Sequence, residues 1–170
     1  MALTTNLRVS VASKQSAALD LGSDESNISR SFAVSLASGT AAGQADRLYS
    51  KTHTLAASTN VDLDLAGGVT DANGVTITFA KVKGIYVEAA SGNTNNVVVG
   101  AAASNAFVGP FGAGTHTLSV RPGGLELIAV GSADLNAYAV TAGTGDLLRI
   151  ANSGAGTSVT CHVIIWGTSA

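Results

Sequence analysis

The sequence has few charged and few aromatic residues. Of its 170 residues, 12% are charged and 5% are aromatic, and the formal net charge is -2. Ordinary globular domains carry about 25% charged residues. Charged residues are depleted at interface cores, so a surface poor in charge favours burial against neighbouring subunits. The nine Lys and Arg residues are scattered. Because nucleic-acid binding depends on clustered positive charge, we expect no nucleic-acid partner.

Cysteines and long apolar runs are also scarce. The single cysteine, Cys161, excludes a disulfide within the chain, and its position in the apolar run 159–166 predicts a buried small side chain. The first six residues lack the basic and apolar regions of a signal peptide. No stretch approaches the roughly 18 apolar residues of a membrane helix. We therefore expect assembly in the cytosol and no membrane partner.

The chain is instead rich in small residues and in short alternating runs. Ala, Gly, Ser and Thr supply about half of the sequence. After residue 46, apolar and polar residues alternate in runs separated by Gly and Asn turns. The runs predict strands at 47–55, 61–65, 75–79, 82–87, 97–99, 115–120, 125–130, 137–140, 147–151 and 159–166. Helix signals are poor. Short strands with regularly spaced turns indicate an all-β chain, with residues 46–170 forming an antiparallel β-sandwich domain.

The first 45 residues have a weaker pattern. One strand stands out at Ser31–Leu36, which places Phe32, Val34 and Leu36 on one face. A disordered terminus around a single edge strand is one interpretation, but a disordered tail has no need of such an apolar face. We interpret residues 1–45 as an extended N-terminal arm with one strand, which pairs with its own sheet or with a neighbour. Phe32, Val34 and Leu36 are the predicted interface.

No set of residues has the spacing of a metal site. Zinc needs three or four convergent ligands, and the histidines are far apart in the sequence, at His53, His116 and His162. The densest group of side-chain oxygens comprises Asp62, Asp64, Asp71 and Asn73. Calcium prefers several such oxygens, but the position that would close a calcium loop is occupied by Val82. The run Asp71–Gly74 is more typical of a tight turn.

Catalytic motifs are missing as well. The chain has no Gly-x-Ser-x-Gly turn of the kind that holds a hydrolase nucleophile. Glu88 and Glu126 are the only glutamates after residue 46, which is a poor supply for a paired-carboxylate hydrolase. The run Gly143–Asp146 resembles a phosphate-binding loop but lacks its Gly-Lys-Ser/Thr ending, so we interpret it as a turn. We expect no enzyme activity and no cofactor.

Four stretches carry a resemblance to a known family: Val61–Asp71 (VDLDLAGGVTD), Phe79–Val87 (FAKVKGIYV), Val140–Ile150 (VTAGTGDLLRI) and Ile164–Ser169 (IIWGTS). As a set, and over about residues 45–170, they resemble small virion structural proteins of tailed bacteriophages, of the capsid decoration (cement) type. The resemblance implies a jelly-roll-like β-sandwich whose partner is a major capsid protein or another virion protein. No catalytic or metal residues are carried over.

Two functions are consistent with this resemblance. The first is a decoration protein that forms a homo-oligomer, with a trimer favoured, and stabilises neighbouring capsomers through its arm. The second is a tail or fibre-base component with a carbohydrate- or receptor-binding sandwich. Sugar sites usually present exposed aromatic rings, but those of this chain lie inside strand patterns, which favours core packing: Tyr49, Tyr86, Tyr138 and Trp166. In both cases the expected location is the virion, assembled in the host cytoplasm.

Overall fold

The computed structural model describes residues 2–170, which form strands and turns and contain no helix. The strands are β1 (Thr5–Leu19), β2 (Gly22–Ser38), β3 (Gln44–Ala45), β4 (Arg47–Leu55), β5 (Asn60–Asp64), β6 (Val69–Thr70), β7 (Thr76–Ile77), β8 (Lys81–Ala89), β9 (Val97–Gly100), β10 (Thr117–Val120), β11 (Leu125–Ala129), β12 (Tyr138–Ala139), β13 (Leu147–Asn152) and β14 (Val159–Thr168). The prediction of an all-β chain is confirmed. Within these residues, no helix is long and apolar enough to cross a membrane.

Two antiparallel sheets pack face to face as a β-sandwich. One sheet has the strand order β11-β8-β14-β4, with β12 also paired to β8, and we call it the arm-side sheet. The other has the order β10-β9-β13-β5, and we call it the far sheet. Inward-facing side chains of both sheets, such as Val163 and Ile165 of β14 and Leu148 and Ile150 of β13, are buried between them. Alternation of inward and outward residues along each strand produces this core.

The strands of the sandwich are nested in the sequence. β4, the first, pairs with β14, the last, and β5 pairs with β13. Further in, β8 pairs with both β14 and β11, and β9 pairs with both β13 and β10. Each of these pairings is antiparallel. Nesting places the two ends of the sandwich sequence side by side at one edge of the arm-side sheet, close to the arm.

The arm is a long two-stranded hairpin. β1 and β2 pair continuously from Thr5↔Leu36 to Leu19↔Gly22, and two residues connect them. At about 3.3 Å per residue, the 15 residues of β1 extend roughly 50 Å. The prediction of one strand at Ser31–Leu36 is therefore corrected to two strands. Side-chain alternation is weak beyond Val11, but backbone hydrogen bonds between strands do not require apolar side chains, so the ladder continues through polar residues.

Candidate functional site

The arm is an amphipathic ribbon with all its large apolar strand residues on one face. Because paired residues of an antiparallel ladder point to the same side, the register of β1 and β2 defines this face. It carries Leu7, Val9, Val11, Leu19, Ile28, Phe32, Val34 and Leu36, together with the charged residues Arg30 and Asp24. The opposite face carries mainly Ser, Ala, Asn and charged residues, including the ion pair between Lys14 Nζ and Glu25 Oε1 at 2.6 Å. We call the first surface the apolar face of the arm.

One end of the apolar face packs on the sandwich. Val34 and Leu36 are buried in a cluster with Ala45 of β3 and Trp166 of β14. Half-buried apolar residues surround this cluster: Leu3, Leu7, Leu48, Tyr86, Leu127, Ala129 and Ile164. Tyr86, Leu127 and Ile164 belong to neighbouring strands of the arm-side sheet and point away from the sandwich core. The base of the arm thus covers part of the outer face of the arm-side sheet.

We call Val34, Leu36, Ala45 and Trp166 the base cluster. A glycine makes room for the indole ring of Trp166 in it. Trp166 of β14 pairs with Gly84 of β8. A Cβ atom at residue 84 would stand 1.9 Å from Cζ2 of the indole, far inside van der Waals contact. The indole therefore lies flat against the β8 backbone, and only glycine permits this approach. Trp166 is 5% exposed as a result.

Polar contacts hold the segment that joins the arm to the sandwich. The ammonium group of Lys83, a residue that is 1% exposed, donates to the Ala41 carbonyl at 2.9 Å. Burial lowers the pKa of Lys83, as does the charge of Lys81, while Asp134 opposes the shift. Asp46 accepts from the Ser169 backbone N–H at 2.8 Å and from its hydroxyl at 2.6 Å. The Asp46–Ser169 bonds join the two ends of the sandwich sequence, and the Lys83–Ala41 bond holds the connector after β2 to β8.

The rest of the apolar face is uncovered. Phe32 is 46% exposed, Val11 59%, Ile28 60% and Leu19 61%. Among the described residues, five of the nine large hydrophobic side chains that are exposed lie in the arm, counting Leu21 of its turn. Concentration of exposed apolar groups on one ribbon is unusual, since single scattered ones are the norm on a monomer. The apolar face of the arm is the candidate functional site.

The predicted interface residues separate into two groups. Val34 and Leu36 share a face with Phe32 as expected, but they are buried against their own chain. Phe32 alone of the three is exposed. Sequence reasoning missed Val11 and Ile28, which lie on the same face as Phe32 and flank Arg30. The alternation of Leu7, Val9 and Val11 is the signal that could have identified the second strand.

The histidines do not converge. His53 is buried and its Nε2 lies 2.8 Å from the Tyr49 hydroxyl, whereas His162 is on the outer face of the arm-side sheet, with Nδ1 2.8 Å from the Thr52 hydroxyl. His116 lies in a loop, with Nδ1 2.7 Å from the Phe111 carbonyl oxygen. In residues 2–170, no three His, Cys, Asp or Glu side chains come together as potential metal ligands.

The side-chain oxygens flagged in the sequence take part in local structure. Asp62 accepts from Arg149 Nε at 2.7 Å and from Nη2 at 2.8 Å. Asp64 accepts from the Ala66 backbone N–H, and Asp71 accepts from those of Asn73 and Val75. Asp71–Gly74 is a turn, as predicted, with Gly74 at φ +79°. Gly143–Asp146 is also a turn, in which Asp146 accepts from the Gly143 N–H at 2.6 Å.

Cys161 lies beside Tyr49 and His53 in the core, and its prediction as a buried small side chain is confirmed. Burial raises the pKa of Cys161 to about 11, which keeps it a neutral thiol. Burial also raises the pKa of Tyr49 to about 12. Trp166 and Tyr49 are buried as the sequence predicted, and Tyr86 and Tyr138 are half-buried. Cys161 and Tyr49 therefore stay un-ionised near neutral pH and contribute to packing.

Comparisons with known proteins add no relative: no family model, no curated protein and no solved structure matches this chain.

Proposed function

We propose that the protein is a non-enzymatic structural component of a virus particle, a decoration protein that binds the outer surface of a phage capsid as an oligomer and stabilises it. The observation that carries the proposal is the arm, which is roughly 50 Å long and whose apolar face is uncovered beyond its base. Exposing such a surface to water is unfavourable, and large exposed apolar patches usually mark sites of interaction. A repeating assembly supplies a molecule that covers it at every copy.

The strand order of the sandwich supports the same proposal. Along the sequence, the eight main strands give one sheet of first, eighth, third and sixth strands and a second sheet of second, seventh, fourth and fifth. We propose that this is a jelly roll, a double-sheet arrangement of eight strands that is common in viral capsid proteins. Jelly rolls also occur in lectins, so the strand order alone does not distinguish a capsid role from sugar binding.

The low content of charged residues is consistent with a protein that contacts neighbouring subunits. With 12% charged residues, the surface has little of the charge that keeps free monomers apart. Many weak contacts on a symmetric lattice add up to firm attachment, because linked copies rebind at high effective concentration. Each copy therefore needs only a modest contact with the major capsid protein, provided that the copies are joined to one another.

A shortened-arm variant tests the proposal. Replacing residues 9–32 by Asn-Gly keeps the pairs Leu7↔Val34 and Thr5↔Leu36, with a turn suited to a two-residue hairpin. The base cluster then remains, and the sandwich should unfold at a similar denaturant concentration. We expect the variant to be lost from purified particles that incorporate the full chain. Normal incorporation of the folded variant would show that the arm has no part in attachment.

Copy number distinguishes the head from the tail. Quantitative mass spectrometry of purified particles should find the protein at a level comparable with the major capsid protein. A dozen copies or fewer at one vertex would instead support the tail or fibre-base role. Absence from the particles would reject a virion function altogether.

A further inference from the structure

We infer that the uncovered apolar face of the arm docks on a second copy of this chain, against the outer face of that copy's arm-side sheet. The inference deepens the proposed function and rests on it for the arm's role in assembly. It identifies the molecule that covers the arm as another protomer, and it makes the arm the device that joins copies to one another.

The docked end of the arm indicates what kind of surface the apolar face fits. Val34 and Leu36 pack on Trp166, with Tyr86 and Leu127 at the margin of the contact. The same face continues into Phe32, Val11 and Ile28, with Arg30 among them as the pair of Val11. A surface that receives the base of this ribbon is apolar, flat and made of strands, and such a surface also suits Phe32, Val11 and Ile28.

Each copy also has a receiving surface. Leu125 of β11 pairs with Glu88 and points outward, next to Leu127 and Tyr86 on the same side of the sheet. Leu125 is 57% exposed, and Leu127 and Tyr86 remain half-buried after the arm base has packed beside them. This strip continues the patch that the arm base covers. One chain thus carries two different surfaces, the apolar face of the arm and the strip around Leu125 that receives it. Contacts between two different surfaces form a closed ring when the rotation from one copy to the next is a whole fraction of a turn.

The area of one contact is small, and a ring doubles it for each copy. From Val9 to Leu19 the ribbon extends about 36 Å, and two strands about 4.8 Å apart give a face on the order of 350 Å². In a ring, every copy donates one such face and receives another, which makes on the order of 700 Å² per copy. A standard interface buries about 800 Å² per partner. Each contact alone is thus under half of a standard interface, and the two contacts of one protomer together come close to the size of one.

Matched lysine substitutions of the full chain test the inference by sedimentation equilibrium. Val11→Lys with Ile28→Lys places two charges on the apolar face, while Ala12→Lys with Ser29→Lys places them one residue away on the opposite face at exposed positions. We expect the wild type and the opposite-face control to be oligomers at micromolar concentration, and the apolar-face variant to be monomeric. Leu125→Lys, on the receiving strip, should also be monomeric, whereas Ser119→Lys, at an exposed position of the far sheet, should not.

The outcomes separate this inference from the proposed function. A monomeric wild type, or an apolar-face variant as oligomeric as its control, would overturn the second-copy inference. If that monomer still entered particles through its arm, the capsid protein would be the occupant, and the virion role would stand while the oligomer of the proposed function would not. Conversely, an arm-dependent oligomer that never enters particles would keep the inference and reject the virion role. Far-UV circular dichroism checks that each variant is folded, and an oligomeric Leu125→Lys variant would overturn the receiving surface.

Discussion

The indole of Trp166 lies against the backbone of Gly84, its partner on the neighbouring strand, so closely that a Cβ atom there would stand 1.9 Å from Cζ2. This contact places the widest side chain of the chain flat on the outer face of the arm-side sheet. Val34 and Leu36 of the arm then pack on the same cluster. The Gly84–Trp166 pair is thus the point at which the sandwich receives the arm.

Adding one methyl group at this point should loosen the arm base. We expect Gly84→Ala to lower the free energy of unfolding by about 1–3 kcal/mol, because the indole must move to relieve the overlap. Trp166 is the only tryptophan, so its fluorescence emission should shift to longer wavelength as the ring becomes more exposed. Gly92→Ala is the control, since its Cβ would meet nothing within 4 Å. An unchanged emission spectrum for Gly84→Ala would contradict the account of this contact.

Two of the predicted interface residues, Leu36 and Phe32, should differ in their contribution to stability. Leu36→Ala should cost about 2–5 kcal/mol of stability, because the residue is 2% exposed and its loss leaves a cavity. Phe32→Ala should change stability by less than about 1 kcal/mol, since its ring is 46% exposed in a single copy. Denaturant unfolding under monomeric conditions measures both. Equal costs would mean that the arm base and the uncovered face are not distinct regions.

Two ion pairs offer a second contrast. Arg149 binds both carboxylate oxygens of Asp62 with side chains 23% and 28% exposed, whereas the Lys14–Glu25 pair has side chains 57% and 42% exposed. We expect Arg149→Gln to lower the free energy of unfolding by about 1–2 kcal/mol, because a bidentate, partly buried pair is well aligned. Lys14→Gln should leave stability unchanged, as is usual for exposed pairs. The reverse order of the two costs would contradict this assignment.

Stability should depend on pH through His53. Burial lowers the pKa of His53, assisted by the charges of Lys51 and His162, so the folded chain binds this proton less tightly than the unfolded chain does. Stability contributed by the neutral ring is therefore present above the unfolded pKa and is lost as the pH falls below it. Between about pH 8 and pH 5, the wild type should lose more unfolding free energy than His53→Gln. Identical slopes for the wild type and His53→Gln would disprove the role of His53.

Much of the sandwich could be predicted from local patterns. Strict alternation, as in Val61–Leu65, marks a strand that faces core on one side and solvent on the other. The strand predicted at 47–55 has the bounds of β4. The strand predicted at 75–79 shortens to Thr76–Ile77, and Phe79 is buried in the core without belonging to a strand. Which strands become partners depends on tertiary packing, and no local pattern encodes it.

The arm was harder to predict because its two strands depend on each other. Most of β1 beyond Val11 has small or polar side chains, and its strand state comes from backbone bonds to β2. In the same way, Val34 and Leu36 are buried because they pack on Trp166, which lies more than a hundred residues away in the sequence. Alternation identified the apolar face, but only the packing shows which part is covered by the chain itself and which part is left for a partner.

The measurement that tests the central claim most directly is the amount of this protein in purified particles, compared between the full chain and the variant with residues 9–32 replaced by Asn-Gly. We predict many copies of the full chain per particle, near the level of the major capsid protein, and almost none of the folded, shortened variant. Equal incorporation of the two chains, or absence of the full chain from the particles, would contradict the claim that the arm serves to build this protein into a virion.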